Sequence, residues 1–247
     1  MLLAEKVVVV TGGSTGIGGA TSTVFAREGA KVVIADVNEA DGQARAKAIA
    51  ADGGTAIFVR TDMTSHDSVR ELIATVRQEF GRLDTLISCA GIYRGPNVPV
   101  FDFEEEDWDQ IIDVNLKGTF IGAKFAAPLM KESGGGVILM VASVAGVSAP
   151  SGSIAYGASK GGVNGFGMTL ENHLAPHNIR VNVVCPAGIS TPLKLDAMRE
   201  ISEMEGNSPD DDAAERASLG DPEGIGKVLA VLASDHCDYV RGMIRTR

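Results

Sequence analysis

The sequence predicts an α/β protein of the Rossmann-like, doubly wound type, in which one parallel sheet lies between helices on both faces. Short runs rich in Val and Ile alternate with longer stretches of helical length. The apolar runs are nearly continuous, a texture typical of strands buried on both faces. The chain has 247 residues, of which 45% are hydrophobic, and shows no repeat and no break in composition. We therefore expect a single domain over residues 1–247.

Six strands and five main helices are predicted in alternation along the chain. The strands are expected at residues 6–11, 31–36, 55–60, 84–88, 137–142 and 180–185. The helices are expected at residues 16–28, 39–51, 65–80, 105–131 and 156–173. Because strands and helices alternate throughout, the pattern indicates βαβ units and a parallel sheet.

Residues 191–218 form the least regular part of the sequence. Their charge is high, and the Val/Ile texture of the strands disappears. A long segment of this kind within a compact domain is usually a lid over a ligand site or a disordered loop. We interpret it as a substrate lid within the single domain, while a solvated acidic surface segment explains the charge pattern equally well.

Charge and cysteine usage exclude several classes of partner. The chain carries 22 Lys and Arg against 32 Asp and Glu, a net charge of −10 that disfavours nucleic acid and anionic membrane. Three scattered cysteines without a CxxC pair indicate neither a disulfide framework nor a zinc site. The amino terminus has no signal or membrane segment, so a reducing cytoplasm is the expected location. The four histidines, His66, His173, His177 and His236, do not have the spacing of metal ligands, so no metal site is expected.

A glycine-rich turn follows the first predicted strand, between Thr11 and Gly18. Glycines allow the backbone to approach a pyrophosphate closely, and the N–H groups at the start of the next helix favour its negative charge. The spacing is Gly-x-x-x-Gly-x-Gly rather than the common GxGxxG. A purely structural turn is the alternative, which the position between a strand and a helix disfavours.

Asp36 ends the second predicted strand, where a carboxylate can accept hydrogen bonds from an adenosine ribose. Alone, it would be read as a strand-end Asp that caps the next helix. Together with the glycine turn, it predicts a dinucleotide site.

Tyr156 and Lys160 stand four residues apart and share one face of a predicted helix. A phenol is a poor base at neutral pH, but a neighbouring ammonium and a cationic nicotinamide ring both favour the phenolate. Ser143 follows the fifth strand, at the sheet edge where ligands bind, and its hydroxyl could bond the reacting oxygen. In isolation, Tyr-x-x-x-Lys is more often a surface helix pair. Ser143 shifts the interpretation towards proton transfer to or from an alcohol oxygen.

These residues resemble the classical short-chain dehydrogenases/reductases, and the resemblance runs from about residue 6 to residue 242. Besides the glycine turn, it is carried by features that occur in the family's order, namely Asp62-Met63, Asn115, Ser143, Tyr156, Lys160 and the Pro186 to Thr191 segment.

The resemblance implies a role for each catalytic candidate. Tyr156 would be the general acid/base, and Lys160 would lower its pKa and hold the nicotinamide ribose. Ser143 would orient the substrate oxygen, and Asn115 would hold a water that links Lys160 to solvent. For Asn115 alone, a helix-interior residue satisfied by the backbone is the default interpretation.

The resemblance also implies an NAD site. Thr15 and Val37, where enzymes that use NADP usually carry Arg or Lys, are uncharged here, so NAD is expected. The implied cofactor-binding residues are Gly12, Ser14, Thr15, Gly16, Ile17, Gly18, Asp36, Val37, Asp62, Met63, Cys89, Ala90, Gly91, Tyr156, Lys160, Pro186, Ile189 and Thr191.

Three departures from the family's pattern carry expectations of their own. Ser88-Cys89 stands where the family usually has Asn-Asn, so side-chain bonds to the neighbouring strand are expected to change while backbone contacts to the cofactor survive. The usual Pro-Gly pair is Pro186-Ala187, with Gly188 following. The chain ends at Arg247, where relatives continue into a strand closing on Val-Asp-Gly-Gly, so the last strand is expected to be missing or improvised.

The leading hypothesis is an enzyme that reversibly transfers hydride between NAD and a secondary alcohol or ketone. A dinucleotide-binding protein without turnover, acting as a sensor or partner subunit, is the alternative from another class. A nucleotide-sugar epimerase is disfavoured by the glycine spacing and the short chain. Family members usually form homodimers or homotetramers across helices 105–131 and 156–175, so an oligomer is expected. Substrate identity would depend on residues 93–100, 144–153 and 191–218.

Overall fold

The computed structural model describes residues 1–206 and 213–246, which fold around a seven-stranded parallel sheet. The strands are β1 (Val7–Thr11), β2 (Lys31–Asp36), β3 (Thr55–Arg60), β4 (Thr85–Ser88), β5 (Gly136–Val141), β6 (Ile179–Cys185) and β7 (Gly242–Arg245). Their order in the sheet is β3-β2-β1-β4-β5-β6-β7, and every neighbouring pair is parallel. The predicted doubly wound fold is confirmed.

Helices cover both faces of the sheet. They are α1 (Gly16–Arg27), α2 (Glu39–Ala51), α3 (His66–Phe80), α4 (Glu105–Ile111), α5 (Gly118–Glu132), α6 (Ile154–Leu174), α7 (Pro192–Glu205), α8 (Ala213–Ser218) and α9 (Pro222–Ala233). Val8 and Val10 of β1 pack in the core beneath α1, α2 and α9. Val7 and Val9 point the other way, towards α3, α5 and α6. Strands β1 to β6 thus contribute to two cores, which explains their nearly continuous apolar runs.

The helix expected over residues 105–131 is interrupted in its middle. Between α4 and α5, the backbone forms a π-helical segment, Ile112–Lys117. Asn115 lies in this segment and is completely buried. π-helical turns of this kind occur often at functional sites.

The prediction that residues 191–218 lack regular structure is wrong for most of that segment. Thr191 caps α7 by accepting the backbone N–H of Lys194 at 3.2 Å, and Pro192 occupies the first helical turn. Arg199 forms ion pairs with Asp196 and Glu203, at the i,i+3 and i,i+4 spacings that stabilise a helix. Residues 207–212 lie outside the described part of the chain. High charge therefore reflects solvated helices rather than irregular backbone.

The expectation that the last strand is missing is also wrong. β7 pairs in parallel with β6, from Asn182 opposite Gly242 to Cys185 opposite Arg245. The Asn182 Nδ2 donates to the carbonyl oxygens of Val240 and Gly242 at 3.2 and 3.4 Å. These bonds and the packing of Ile244 against the core hold a short strand that has little sequence signature.

The sheet changes direction between β1 and β4, which are neighbours although two strands separate them in sequence. Ligands of doubly wound sheets bind at such a switch point, beyond the carboxyl ends of the strands. Over the described ranges, no helix is long and apolar enough to cross a membrane.

Candidate active site

A cavity of about 560 Å³ opens at the switch point. Its walls come from the turn after β1, the carboxyl ends of β2 to β6, the start of α6 and one side of α7. Nearly all residues predicted for the site lie in this wall. The exceptions are Ser14 and Asn115, which sit behind it.

The glycine turn requires glycine because backbones meet there. Gly12 has a φ of +65°, and a Cβ atom on it would lie 2.8 Å from the Cα of Ala90. A Cβ on Gly18 would lie 2.0 Å from the carbonyl oxygen of Gly12. Side chains at either position would push α1 away from the sheet, so the glycines bring the helix start close to the cavity.

The amino terminus of α1 is open to the cavity. Its N-cap residue, Thr15, makes no side-chain capping hydrogen bond, and Thr15 to Gly18 line the wall. Uncapped N–H groups at a helix start attract anions. The turn therefore fits the pyrophosphate of a dinucleotide.

Asp36 fixes the turn from the neighbouring strand. One carboxylate oxygen accepts the backbone N–H of Ser14 at 3.1 Å, and the other accepts the N–H of Asn38 at 3.1 Å. Arg45 of α2 donates its Nε–H to the carbonyl oxygen of Ser14 at 3.2 Å. The contact of Arg45 was not predicted, because nothing in the sequence links α2 to the turn.

The end of β4 keeps its backbone contacts despite the substitutions there. The Thr11 Oγ1 accepts the N–H groups of Cys89 and Ala90 at 3.1 and 3.3 Å. Within the described ranges, the buried Ser88 Oγ has no hydrogen-bond partner. Burial raises the pKa of the Cys89 thiol to about 11, so this cysteine stays protonated at neutral pH. The side-chain bonds at Ser88-Cys89 were expected to change, and the unpaired Ser88 hydroxyl agrees with that expectation.

Tyr156 lies in the first turn of α6, which Ser153 caps by accepting the Tyr156 N–H at 3.3 Å. Ser143, which follows β5, lies beside its hydroxyl in the cavity wall. Burial raises the pKa of Tyr156 to about 12, although the neighbouring Ser143 side chain lowers it. Without a cofactor, desolvation outweighs every effect that favours the phenolate, and the expected influence of Lys160 is not seen.

Lys160 is 5% exposed and reaches past Tyr156. Its Nζ donates to the carbonyl oxygen of Val141 at 2.9 Å and lies 5.5 Å from the centre of the Tyr156 ring. Burial lowers the pKa of Lys160 from its usual value. The buried amine lines the cavity beside the phenol ring.

Asn115 connects α6 to the loop after β4. Its Oδ1 accepts the N–H of Ile92 at 2.8 Å, and its Nδ2 donates to the Ile92 carbonyl oxygen at 3.0 Å. The same Nδ2 donates to the Ser159 Oγ at 3.1 Å. A Cβ on Gly91 would be 3.3 Å from the Asn115 Oδ1 and 3.5 Å from the Lys160 Nζ, so the two side chains lie close together.

Several cavity residues had no individual sequence signal. Tyr93 packs its ring against Tyr156, with the ring centres 4.9 Å apart. From its position in the sequence, Tyr93 could be assigned only to a loop expected to govern specificity. The helical periodicity of α7 could have indicated the side that faces the cavity, formed by Leu193, Lys194, Ala197 and Ile201.

Comparison with known proteins agrees with this site. The model of the short chain dehydrogenase family matches residues 6–201. The 3-oxoacyl-acyl-carrier-protein reductase of Thermotoga maritima is 36% identical, over 99% of this chain and 96% of its own. The cyclopentanol dehydrogenase of Comamonas sp. is 36% identical, over 96% of this chain and 93% of its own. The crystal structure of levodione reductase superposes with a TM-score of 0.89 at 27% identity, covering 98% and 96% of the two chains.

The chain belongs to the short-chain dehydrogenase/reductase family and is an oxidoreductase. Members of this family bind a nicotinamide dinucleotide.

Proposed function

We propose that the protein is an NAD-dependent oxidoreductase that reversibly transfers hydride between the nicotinamide and a secondary alcohol or ketone. The observation that carries this proposal is the grouping of Tyr156, Ser143 and Lys160 in the cavity that the glycine turn also lines. The bound cofactor supplies the hydride acceptor or donor. Everything else in the reaction is positioning and proton transfer, which side chains provide.

Tyr156 is the proposed acid/base. In oxidation, its phenolate takes the hydroxyl proton of the alcohol, and in reduction the phenol returns it to the carbonyl oxygen. Ser143, which lines the cavity with Tyr156, would donate to the same substrate oxygen and orient it. Because burial raises the pKa of Tyr156, the positive charges of Lys160 and of the oxidised nicotinamide ring are needed to form the phenolate.

Asn115 and Lys160 are proposed to supply the proton path behind Tyr156. The Lys160 amine would hold the nicotinamide ribose, and a water at Asn115 would link that amine to solvent. The three hydrogen bonds of the Asn115 side chain fix the π-helical segment against α6 and the loop after β4. This rigid attachment supports a role in positioning as well.

Asp36 is the reason for proposing NAD. A carboxylate at the end of β2 can accept hydrogen bonds from the ribose hydroxyls of NAD, but it repels the 2′-phosphate of NADP. Val37 beside it is uncharged, and 57% of its surface is exposed. Arg45 of α2 is bonded to the Ser14 carbonyl oxygen.

The substrate class rests on the cavity and on the relatives. Cyclopentanol dehydrogenase is named for a secondary alcohol, and it matches almost the whole of this chain. α7, which covers the substrate side of the cavity, is the proposed lid. A homo-oligomer is the proposed assembly.

A panel of secondary alcohols tests the proposal. Purified protein is incubated with each alcohol and either NAD⁺ or NADP⁺, and the absorbance of the reduced nicotinamide is followed. We expect reduction of NAD⁺ with at least one alcohol and none with the Tyr156→Phe control. Cofactor binding without turnover over the whole panel would instead support the sensor alternative.

A further inference from the structure

Tyr93 is a second tyrosine in the cavity wall and has no part in the proton transfer proposed above. Its ring centre lies 4.9 Å from that of Tyr156, and the two ring planes are inclined by 59°. At this separation the rings touch, so no substrate fits between them. They form instead a corner of two aromatic surfaces, with the Tyr156 hydroxyl at one side.

The Tyr93 side chain packs against the turn before α6. Burial and the Glu200 carboxylate raise the pKa of its hydroxyl, although the backbone of Ser153 and the Ser151 side chain lower that pKa. A Cβ on Gly152 would lie 3.1 Å from that hydroxyl, and the Gly152 carbonyl oxygen accepts the N–H of Asn97 at 2.8 Å. The loop after β4 is thereby fastened to the turn that caps α6. Tyr93 is a fixed flat wall rather than a mobile side chain.

Apolar residues make up a large part of the cavity wall to which Tyr93 belongs. They include Ile92, Val144, Pro150, Leu193, Ala197 and Ile201. Among the described residues that line the cavity, four are charged, and Asp36 and Asp62 lie at the ends of β2 and β3. Lys160 is bonded to Val141, and Lys194 forms an ion pair with Glu215 at 2.9 Å. The hydrocarbon part of a substrate can therefore be buried against Tyr93 and these apolar residues.

We propose that the Tyr93 ring is a specificity-determining wall that selects ring-shaped secondary alcohols and ketones over open-chain ones. This inference rests on the function proposed above and names the substrate class of the same site. Hydride still passes between the substrate carbon and the nicotinamide, and the proton still passes between the substrate oxygen and Tyr156. Tyr93 exchanges neither, and contributes contact area only.

The preference follows from shape and entropy. A saturated ring presents a rigid face that can lie against the fixed phenol ring without losing internal rotations. An open chain of equal size must freeze several rotations to make the same contact, and it gains less from a flat wall. Removal of the wall should therefore weaken binding of the ring more than binding of the chain.

Steady-state kinetics with cyclohexanol and 2-hexanol, which have equal carbon numbers, test this proposal. Tyr93→Leu keeps an apolar side chain but removes the flat ring, and Tyr93→Phe keeps the ring but removes the hydroxyl. For Tyr93→Leu, we expect kcat/KM for cyclohexanol to fall roughly tenfold, equivalent to about 1.4 kcal/mol, chiefly through KM. The loss for 2-hexanol should be below about threefold. Tyr93→Phe should keep the preference for the ring.

Binding without turnover provides an independent measurement. Cyclohexanone and 2-hexanone are titrated into wild-type and variant protein saturated with NAD⁺ or with NADP⁺, where no hydride is available, and saturation-transfer NMR reports binding. Thermal melting of each variant verifies folding. The protein could bind rings selectively through Tyr93 and yet oxidise no alcohol. That result would contradict the proposed function but support the role of Tyr93 in ring selection. Three results would contradict the proposed role of Tyr93. They are equal losses of affinity or kcat/KM for ring and open-chain substrates in Tyr93→Leu, equal effects of Tyr93→Phe and Tyr93→Leu, and unchanged selectivity in Tyr93→Leu.

Discussion

The carboxylate of Asp36 accepts the backbone N–H of Ser14 at 3.1 Å, so the residue that ends β2 also holds the glycine turn after β1. One side chain thus connects the two features from which a dinucleotide site was predicted. Its second oxygen accepts the N–H of Asn38 and so also supports the start of α2. A substitution of Asp36 therefore changes both ribose recognition and the shape of the phosphate site.

Asp36→Ala should narrow the preference for NAD over NADP, mainly by weakening NAD. A hydrogen bond to a charged group contributes about 1.5–3 kcal/mol, so the expected loss in kcat/KM for NAD is roughly ten- to a hundredfold. Asp36→Asn keeps an oxygen acceptor for the Ser14 N–H but removes the negative charge. It therefore distinguishes the support of the glycine turn from the repulsion of the 2′-phosphate. Val37→Arg should raise kcat/KM for NADP. Equal kcat/KM values for the two cofactors in the wild type would show that Asp36 does not hold the ribose.

Tyr156→Phe should fold and bind cofactor, yet lose about 10²- to 10⁴-fold in kcat, the usual contribution of a positioned acid/base. The ring and its contact with Tyr93 are kept, so only the hydroxyl is removed. Single-turnover kinetics and cofactor titration measure the two properties separately. A variant with nearly normal kcat on a good substrate would contradict the assignment.

The pH dependence of the wild type is the control for this variant. Oxidation requires the phenolate, and the unliganded pKa of Tyr156 is raised to about 12, so kcat/KM for oxidation should increase as the pH rises towards alkaline values. Reduction requires the neutral phenol, so its rate should fall at high pH. In Tyr156→Phe, the residual activity should lose both trends.

α7 and its surroundings should become more ordered when ligands bind. Lys194, Ala197 and Ile201 line the cavity, and the ion pair of Lys194 with Glu215 connects α7 to α8. We expect amide hydrogen exchange in α7 to slow with NAD and substrate bound, relative to the free protein. Exchange in α3, which lies away from the cavity, serves as the internal control. Equally slow exchange in α7 in both states would argue against a lid.

The protein should form a homo-oligomer in solution. Phe120 on α5 and Met168 on α6 are 44% and 51% exposed, on the two helices expected to pack across a two-fold axis. A missing last strand would have weakened a second interface and favoured a dimer, but β7 is present, so a tetramer is the expected state. Light scattering at working concentration measures it. Phe120→Glu should shift the population towards smaller species, whereas a stable wild-type monomer would refute the prediction.

Asp84 should stabilise the sheet far from the cavity. It is 5% exposed, and its carboxylate accepts the N–H of Val7 at 2.8 Å and the guanidinium of Arg82 at 2.6 Å. Asp84→Ala leaves the buried Val7 N–H without its acceptor, which should lower the free energy of unfolding by about 1–3 kcal/mol. Asp84→Asn keeps an acceptor and should lose less. Urea unfolding measures both, and equal losses would assign the effect to charge alone.

The strands β1 to β6 could be predicted to within one residue at each end because burial on both faces leaves a continuous apolar pattern. β7 could not, because Gly-Met-Ile-Arg is short and half exposed, and its stability comes from Asn182 and the β6 edge. α7 was missed for a different reason. Its high charge suits both an irregular lid and a solvated surface segment, although Asp196, Arg199 and Glu203 have helical spacing.

Within the candidate site, motif residues could be predicted because each lies at a strand end or on one helix face. Tyr93 and Arg45 could not, because their contacts join segments far apart in sequence. Which side chain reaches a cavity across such a distance depends on loop conformation. No local pattern encodes it.

In the π-helical segment, the number of residues is as important as their identity. A π turn contains one residue more than an α-helical turn, and one residue corresponds to roughly 100° of rotation about the helix axis. Deletion of any single residue from Ile112–Lys117 would restore a regular helix but rotate α4 relative to α5. Asn115 would then turn away from Ile92 and Ser159. Alignments of related chains should therefore show substitutions in this segment but no gaps.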